Sequence, residues 1–312
     1  MKTYTTMFDG HGAMVHARSE AARAEVAAGM AKDGARAVKV GAFQMRNRCD
    51  GVEGKNANLE KMIGAIDTAS EQEVQMLAFP EMCLQGYFTP VAGNADEATV
   101  ANRTLADVPS QSSYIDSLRA AAAKAQMVVA FGFAERADDS IYNAIGVIDA
   151  DGEWLGVRRK APLYPWGYET LSFAEPGMDE RAIVFRTRYG TVGISNCFDG
   201  EFPESVRQMR LAGAEVLLWC NAACGNSSLG TSHRINHSGA HAQANRMWVV
   251  CCNCVAADSS GTSVIVSVTG EPLVVLPPDE EALAVTTIDL AKSATWEPWA
   301  SRVDRRGYPR MS

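Results

Sequence analysis

From Ala37 onward, short runs rich in β-branched and aromatic residues alternate with longer segments of helical character. That alternation confines the chain to an α/β architecture, in which helices pack on sheets. Strand-like runs include AVKVGAFQM, VQMLAFPE, MVVAFGFAE, AIVFRTRYGTVGISN, EVLLWCNAA, WVVCCNCVA, SVIVSVTGEPLVVLP and EALAVTTIDL. Helices are expected over residues 55–73, 111–126, 203–213 and 232–246. The segment NAIGVIDADGEWLGVRRK sets Asp-Gly between two apolar runs and reads as a hairpin, so the sheets should mix parallel and antiparallel strands. Residues 1–36 differ, because alanine and alternating charge in ARSEAARAEVAAGMAKDGAR predict a surface helix or a loosely held arm. Residues 37–312 carry no repeat or low-complexity linker and are expected to form one domain.

Composition narrows the function. With 47% hydrophobic and 21% charged residues the chain can bury a large core. Its 29 basic and 37 acidic residues give a net charge of −8, and the only basic clusters are short, so nucleic acid is not an expected partner. No run approaches the ~18 apolar residues of a membrane span, and the N-terminus lacks the apolar centre of a secretory signal. A cytoplasmic location follows as the expectation. The 8 cysteines sit mostly in apolar, strand-like contexts, which predicts reduced thiols rather than a disulfide framework.

Three residues stand where α/β folds build their sites, at strand ends. Cys197 in GTVGISNCFDGEFPE closes a strand and precedes a helix, the turn that exposes a nucleophile. Its neighbours Asp199 and Glu201 would raise the thiol pKa, and a cysteine in this setting by itself is more often a buried structural thiol than a nucleophile. A base is needed, and none of the five histidines occupies a strand end. Glu81, after FP in MLAFPEMCLQGY, has the apolar setting that suits a proton carrier, with helix capping as its plainer role. Lys160, at the end of GVRRK, would supply a cation for the thiolate and the oxyanion, or else is a solvated strand-end lysine.

Taken together, from about Ala37 to Pro309, FPE at Glu81, YNAIGVID leading to RRK at Lys160, GISNCFDGEFPE at Cys197, NRMWVVCCN, SVIVSVTGEPL and the closing RRGYP resemble the nitrilase, or carbon–nitrogen hydrolase, superfamily. The resemblance implies an αββα sandwich with mixed sheets, in a domain that pairs into dimers or larger even-numbered homo-oligomers. It implies hydrolysis of nonpeptide carbon–nitrogen bonds by a Glu81–Lys160–Cys197 triad, with no metal or cofactor. Cys197 would form a thioester, Glu81 would carry the protons, and Lys160 and the backbone N–H of Phe198 would hold the oxyanion. Glu169 in PWGYETLSF matches the second glutamate of many members, while Glu135 falls at an acidic position ranked as structural. The arm before Ala37 has no counterpart in the family pattern.

Substrate choice is less marked. Nitrile-cleaving members place Trp-Glu after the cysteine, whereas CFDGEFPE is similar to the amidase forms, so a small amide is the first expected substrate. An N-carbamoyl amine or amino acid comes next, although the paired arginines of some such hydrolases are missing, and a nitrile last. Tyr164, Trp166, Tyr168 and Asn221 near strand ends are candidate pocket residues, and Glu201 either greets a substrate amine or pairs with Arg207. Two other classes compete. His233, His237 and His241 share one helical face before CCNC, as in a metal-binding protein, but the outer pair stand about 12 Å apart along the axis, so only two could reach one ion, with a further ligand from elsewhere. A noncatalytic interaction protein would have no need of all three triad residues.

Overall fold

The computed structural model describes residues 36–87, 95–165, 169–177, 184–222, 230–255 and 261–294, together with three short strands near the N-terminus. Two sheets carry the architecture. The first has the spatial order β1 (Lys2–Tyr4), β15 (Ala282–Asp289), β4 (Ala37–Gln44), β5 (Met76–Ala78), β6 (Val128–Ala137), β7 (Ser140–Ile148) and β8 (Trp154–Arg159). The second runs β14 (Pro272–Val275), β13 (Val264–Val266), β12 (Trp248–Cys252), β11 (Val216–Cys220), β10 (Gly190–Asn196) and β9 (Val184–Thr187). In each sheet a parallel core, β4-β5-β6 or β10-β11-β12, is flanked by antiparallel strands. The strands β2 (Met7–Phe8) and β3 (Met14–Val15) form a separate antiparallel pair.

The layering follows from how side chains alternate along each strand. Val38, Val40, Ala42, Val128 and Ala130 of the first sheet meet Val192, Ile194, Val216, Leu218 and Val250 of the second in one buried cluster. Their odd-numbered or even-numbered neighbours face outward onto helices. Phe43, Leu77, Val129 and Phe131 pack under α1 (Gly51–Glu71) and α3 (Ser113–Ala125) through Met62, Ile66, Ile115 and Leu118. Leu217, Trp219, Val249 and Cys251 pack under α5 (Pro203–Leu211) and α6 (Gly230–Asn245) through Val206, Met209 and Ala242. Both faces of the central strands are thus covered, which is why they read as continuous apolar runs. The result is the expected αββα sandwich.

Local signals account for most boundaries. Ser112 caps α3 by accepting from the Ile115 N–H at 3.2 Å, and Pro203 opens α5 at a position where its missing N–H is harmless. The Asp-Gly segment forms the β7–β8 hairpin as expected. The runs AIVFRTRYGTVGISN and SVIVSVTGEPLVVLP each fold as two antiparallel strands, with turns at Arg188–Tyr189 and near Gly270, rather than as one strand. Helices α2 (Ala95–Leu105), α4 (Glu169–Ser172) and α7 (Ala291–Ala294) were not foreseen, the first because ADEATVANRTL offers only two large apolar residues, Val100 and Leu105, to mark a period and the others because they are single turns. The arm before Ala37 contributes β1, which adds to the first sheet in parallel beside β15. The helix expected over 17–36 and the RRGYP stretch lie outside the described residues.

Leu218 is fully buried between the sheets and Leu211, at the end of α5, is 57% exposed. Leu218→Ala is expected to lower unfolding free energy by about 2–5 kcal/mol, and Leu211→Ala by no more than about 0.5 kcal/mol, as read by denaturant titration.

Candidate active site

Strand ends from both sheets converge on one buried cluster. Glu81 lies three residues beyond β5, carried by Phe79, whose N–H donates to the Ala130 carbonyl, and by Pro80. This loop passes so close to β6 that a Cβ on Gly132 would lie 2.2 Å from the Met82 nitrogen and 2.5 Å from the Glu81 carbonyl carbon. Glycine at 132 is therefore what lets Glu81 approach. Lys160 follows β8 directly, its N–H donating to the Asn143 carbonyl at 2.8 Å. Glu169 opens α4.

The three side chains are buried and joined. Lys160 Nζ donates to Glu81 Oε1 at 2.7 Å and to Glu169 Oε2 at 2.9 Å. Asn143 of β7 donates to Glu81 Oε1 at 2.7 Å and Glu169 Oε1 at 2.8 Å, while its own oxygen accepts from Asn196 Nδ2 at 2.9 Å. Glu81 Oε2 accepts from the Ala222 N–H at 2.9 Å, and Glu169 Oε2 accepts from the Tyr164 N–H at 3.0 Å. Burial by itself would favour the neutral amine of Lys160, but Glu81, the Cys197 thiol site and Glu169 outweigh it and hold the ammonium form well into the alkaline range. Burial pushes the Glu169 carboxyl up, and Lys160 counters it.

Cys197 enters from the second sheet. It follows β10 directly, in the left-handed region at φ 49°, and starts the 3-10 turn Cys197–Glu201. Such a backbone is strained for a residue with a side chain and must be held by its surroundings. Trp219 Nε1 donates to the Cys197 carbonyl at 2.8 Å, and a Cβ on Gly200 would sit 2.3 Å from that same nitrogen. Asp199, fully buried, accepts from the Asn196 N–H at 2.7 Å and pairs with Arg158 at 3.1 Å. Burial lifts its carboxyl to about 6, with Arg158 opposing.

Cys197 is partly exposed, unlike Cys83, Cys220, Cys251 and Cys252, which are wholly buried. Burial of the Sγ environment and then the nearby Glu81 charge raise its thiol pKa well above the usual value, against the pull of Lys160 and Arg234. The resting group is a protonated thiol within electrostatic reach of the Glu81 carboxylate. The seven described cysteines are all free, as expected.

The remaining sequence candidates fall out differently. Tyr164 is 43% exposed and its ring meets Phe198 edge-on at 5.3 Å, with Phe202 on the other side of Phe198 at 5.3 Å. Asn221 is fully buried, donating to the Trp219 carbonyl at 2.9 Å and accepting from Arg234 at 3.1 Å, so its amide is already engaged by the protein. Glu201 pairs with Arg234 at 2.9 Å, not with Arg207, and also contacts His233 and His237, so it is not a free receptor for an amine. Glu135 grips Arg159 through both oxygens, at 2.7 and 3.0 Å, a structural role as ranked. Trp166 and Tyr168 lie outside the described residues. Sequence reasoning missed Asn143, Arg158 and Arg234. Asn143 had a usable signal, a lone amide inside the apolar run IYNAIGVI.

Comparison with known proteins agrees with this architecture. The carbon-nitrogen hydrolase family matches residues 39–298, and the chain belongs to that family, within the nitrilase superfamily. It is 29% identical over 248 residues to a citrullinase of Francisella tularensis, covering 75% of this chain and 84% of that one. It is 32% identical over 200 residues to an N-carbamoylputrescine amidase of Oryza sativa, covering 58% of this chain and 66%, just under two thirds, of that one. A carbon-nitrogen hydrolase from Helicobacter pylori G27 superposes with a TM-score of 0.72 at 22% identity, over 86% of this chain and 96% of that chain. An amidase from Nesterenkonia sp. does so with a TM-score of 0.67 at 22% identity, over 88% and 97%, and these two establish the fold. Among the described residues no helix is long and apolar enough to cross a membrane.

Two outcomes follow. Gly132→Ala should displace the Glu81 loop, since backbone atoms cannot yield as a side chain would, and cost about 1–3 kcal/mol of stability. Hydrolytic activity, on whichever carbon–nitrogen substrate the enzyme turns over, should fall about 10²-fold with it. The raised Cys197 pKa means that thiolate is scarce at neutral pH and increases only above the ordinary thiol range. The alkylation rate of Cys197 by iodoacetamide, read by peptide mass spectrometry, should still be rising at pH 9, and a plateau below pH 8.5 would contradict the burial argument.

Proposed function

We propose that the protein hydrolyses the terminal C(=O)–NH2 group of a small molecule and releases ammonia through an acyl-enzyme on Cys197. The observation that carries this reading is the buried Glu81–Lys160–Glu169 cluster beside a partly exposed thiol in a strained turn. Glu81 takes the thiol proton as Sγ bonds to the carbonyl carbon. The oxyanion is met by the Lys160 ammonium and the Phe198 N–H, donors of a kind worth about 2.7–4 kcal/mol each to the barrier. Collapse breaks the C–N bond while Glu81 passes its proton to the departing nitrogen, giving ammonia. Water then attacks the thioester, Glu81 accepts one of its protons, and the thiol is restored as the acid leaves. Glu169 keeps Lys160 in place and charged. No step calls for a metal or cofactor.

A small amide is the first substrate class, in keeping with CFDGEFPE. A ureido substrate is the second reading, favoured by the likeness to proteins named citrullinase and N-carbamoylputrescine amidase. A small-molecule partner, an even-numbered homo-oligomer and a cytoplasmic setting belong to the same proposal.

The products distinguish the two. An amide yields ammonia and one carboxylic acid, whereas a ureido compound yields ammonia, carbon dioxide and an amine. A panel of primary amides, ureido compounds and nitriles, assayed for ammonia, is expected to favour an amide. Greater turnover of ureido compounds would reverse the order, and turnover of nitriles above both would exclude it. Cys197→Ala is expected to bring ammonia release below detection with the far-UV spectrum unchanged, and activity in that variant would overturn the assignment.

A further inference from the structure

Beside the nucleophile turn, one group of side chains has no part in the proposed hydrolysis. Glu201 ends the 3-10 turn that Cys197 begins, and His233 and His237 project toward it from one face of α6. Glu201 Oε2 lies 3.0 Å from His233 Nε2 and 2.7 Å from His237 Nδ1, and the three ligand atoms all lie within 4.8 Å of one another. The i, i+4 spacing of the two histidines is one that lets a helix offer both rings to a single ion. Each side chain retains between 20% and 28% exposure, so the cluster lies near the protein surface and not in its core.

Two further features point to a ligand and not to a mere surface ion pair. First, His237 Nδ1 is buried and lacks a hydrogen bond of acceptable geometry, although the carboxylate oxygen is 2.7 Å away. Second, the rings are fixed in advance. His237 stacks on His241 at 4.7 Å and meets Trp219 edge-on at 5.6 Å, while the Gly200 carbonyl accepts from His241 Nε2 at 2.8 Å. Arg234 occupies the other carboxylate oxygen, Oε1, at 2.9 Å and so orients Glu201 from behind, the role outer partners play for metal-binding carboxylates. The set is two imidazoles and one carboxylate with the remaining direction open, a donor set suited to zinc and similar divalent ions.

We infer that Glu201, His233 and His237 form a binding site for a divalent transition-metal ion of the zinc class, separate from the hydrolytic cluster. Binding displaces any proton on the two ligating nitrogens and ties the end of the nucleophile turn to α6. His241, too far along the axis to join, serves as the stacking support of His237.

Zinc chloride titrated into the full chain, followed by calorimetry and elemental analysis after dialysis, tests this. One equivalent per chain is expected, with affinity reduced at least about tenfold in Glu201→Gln and in His237→Ala. His233→Ala, the most exposed of the three, provides the same reading should His237→Ala fail to fold. Cys197→Ser is expected to bind as the wild type does. Absence of stoichiometric binding, unchanged binding in folded ligand variants, or its loss in Cys197→Ser would each overturn the inference. None of these readouts depends on activity, so the hydrolase reading and the metal site fail separately.

Discussion

The structure depends on one buried ammonium. Lys160, 1% exposed, lies between the Glu81 and Glu169 carboxylates, and the three charges are tolerable in the interior only because each is met by several partners. Asn143 makes that possible by donating to both carboxylates, and two backbone N–H groups, from Ala222 and Tyr164, complete the shell. Removing any one partner would leave a charge stranded in a medium that cannot solvate it. This requirement bears on where the strands end: β5, β8, β10 and β11 deliver their terminal or adjacent residues to the same point, and β7 adds Asn143 from its interior.

Much of this was legible in the sequence because the fold advertises itself by period. Fully covered strands give unbroken apolar runs, and the Asp-Gly hairpin announces the change from parallel to antiparallel pairing. Glu81, Lys160 and Cys197 could be picked out since each stands just past a strand in a chemically conspicuous type. What escaped were the residues whose importance lies in contact. Arg158 looked like part of a basic cluster and is the partner of buried Asp199; Arg234, inside an expected helix, drew no reading and reaches Asn221 and Glu201. Asn221, a strand-end amide that reads as a recognition group, likewise has protein partners that only the fold reveals. The two long strand runs that split into hairpins have turns at Arg-Tyr and Thr-Gly, weaker punctuation than Asp-Gly.

The acidic neighbours of Cys197 acquire distinct meanings. Asp199 builds the turn from within, as an acceptor for the Asn196 N–H. Glu201 faces the opposite way, toward α6, where Arg234, His237 and His233 overcome the effect of burial and hold its carboxyl down at about 2. His241 behind it is kept neutral, its pKa depressed to about 4 by burial and then by His237. Gly200 between them is fixed by space alone, since the Trp219 indole occupies the volume a side chain would need. FDGE is thus a joint in which every position answers to a different neighbour.

The cluster is also divided between layers. Glu81, Asn143 and Lys160 belong to the first sheet, while Cys197, Asn196 and the Ala222 N–H belong to the second, and the contacts that cross include the Asn143–Asn196 and Glu81–Ala222 hydrogen bonds, the Glu81 N–H to Asn221 carbonyl bond and the nearby Arg158–Asp199 pair. A slide of one sheet over the other by a couple of ångströms would leave the pairings within each sheet intact and most apolar area still covered, yet would change the separation of the Cys197 thiol from the Glu81–Lys160 pair. Chemistry in this enzyme is a vernier for the alignment of its two halves, and inactivation and unfolding are separate events along the same distortion.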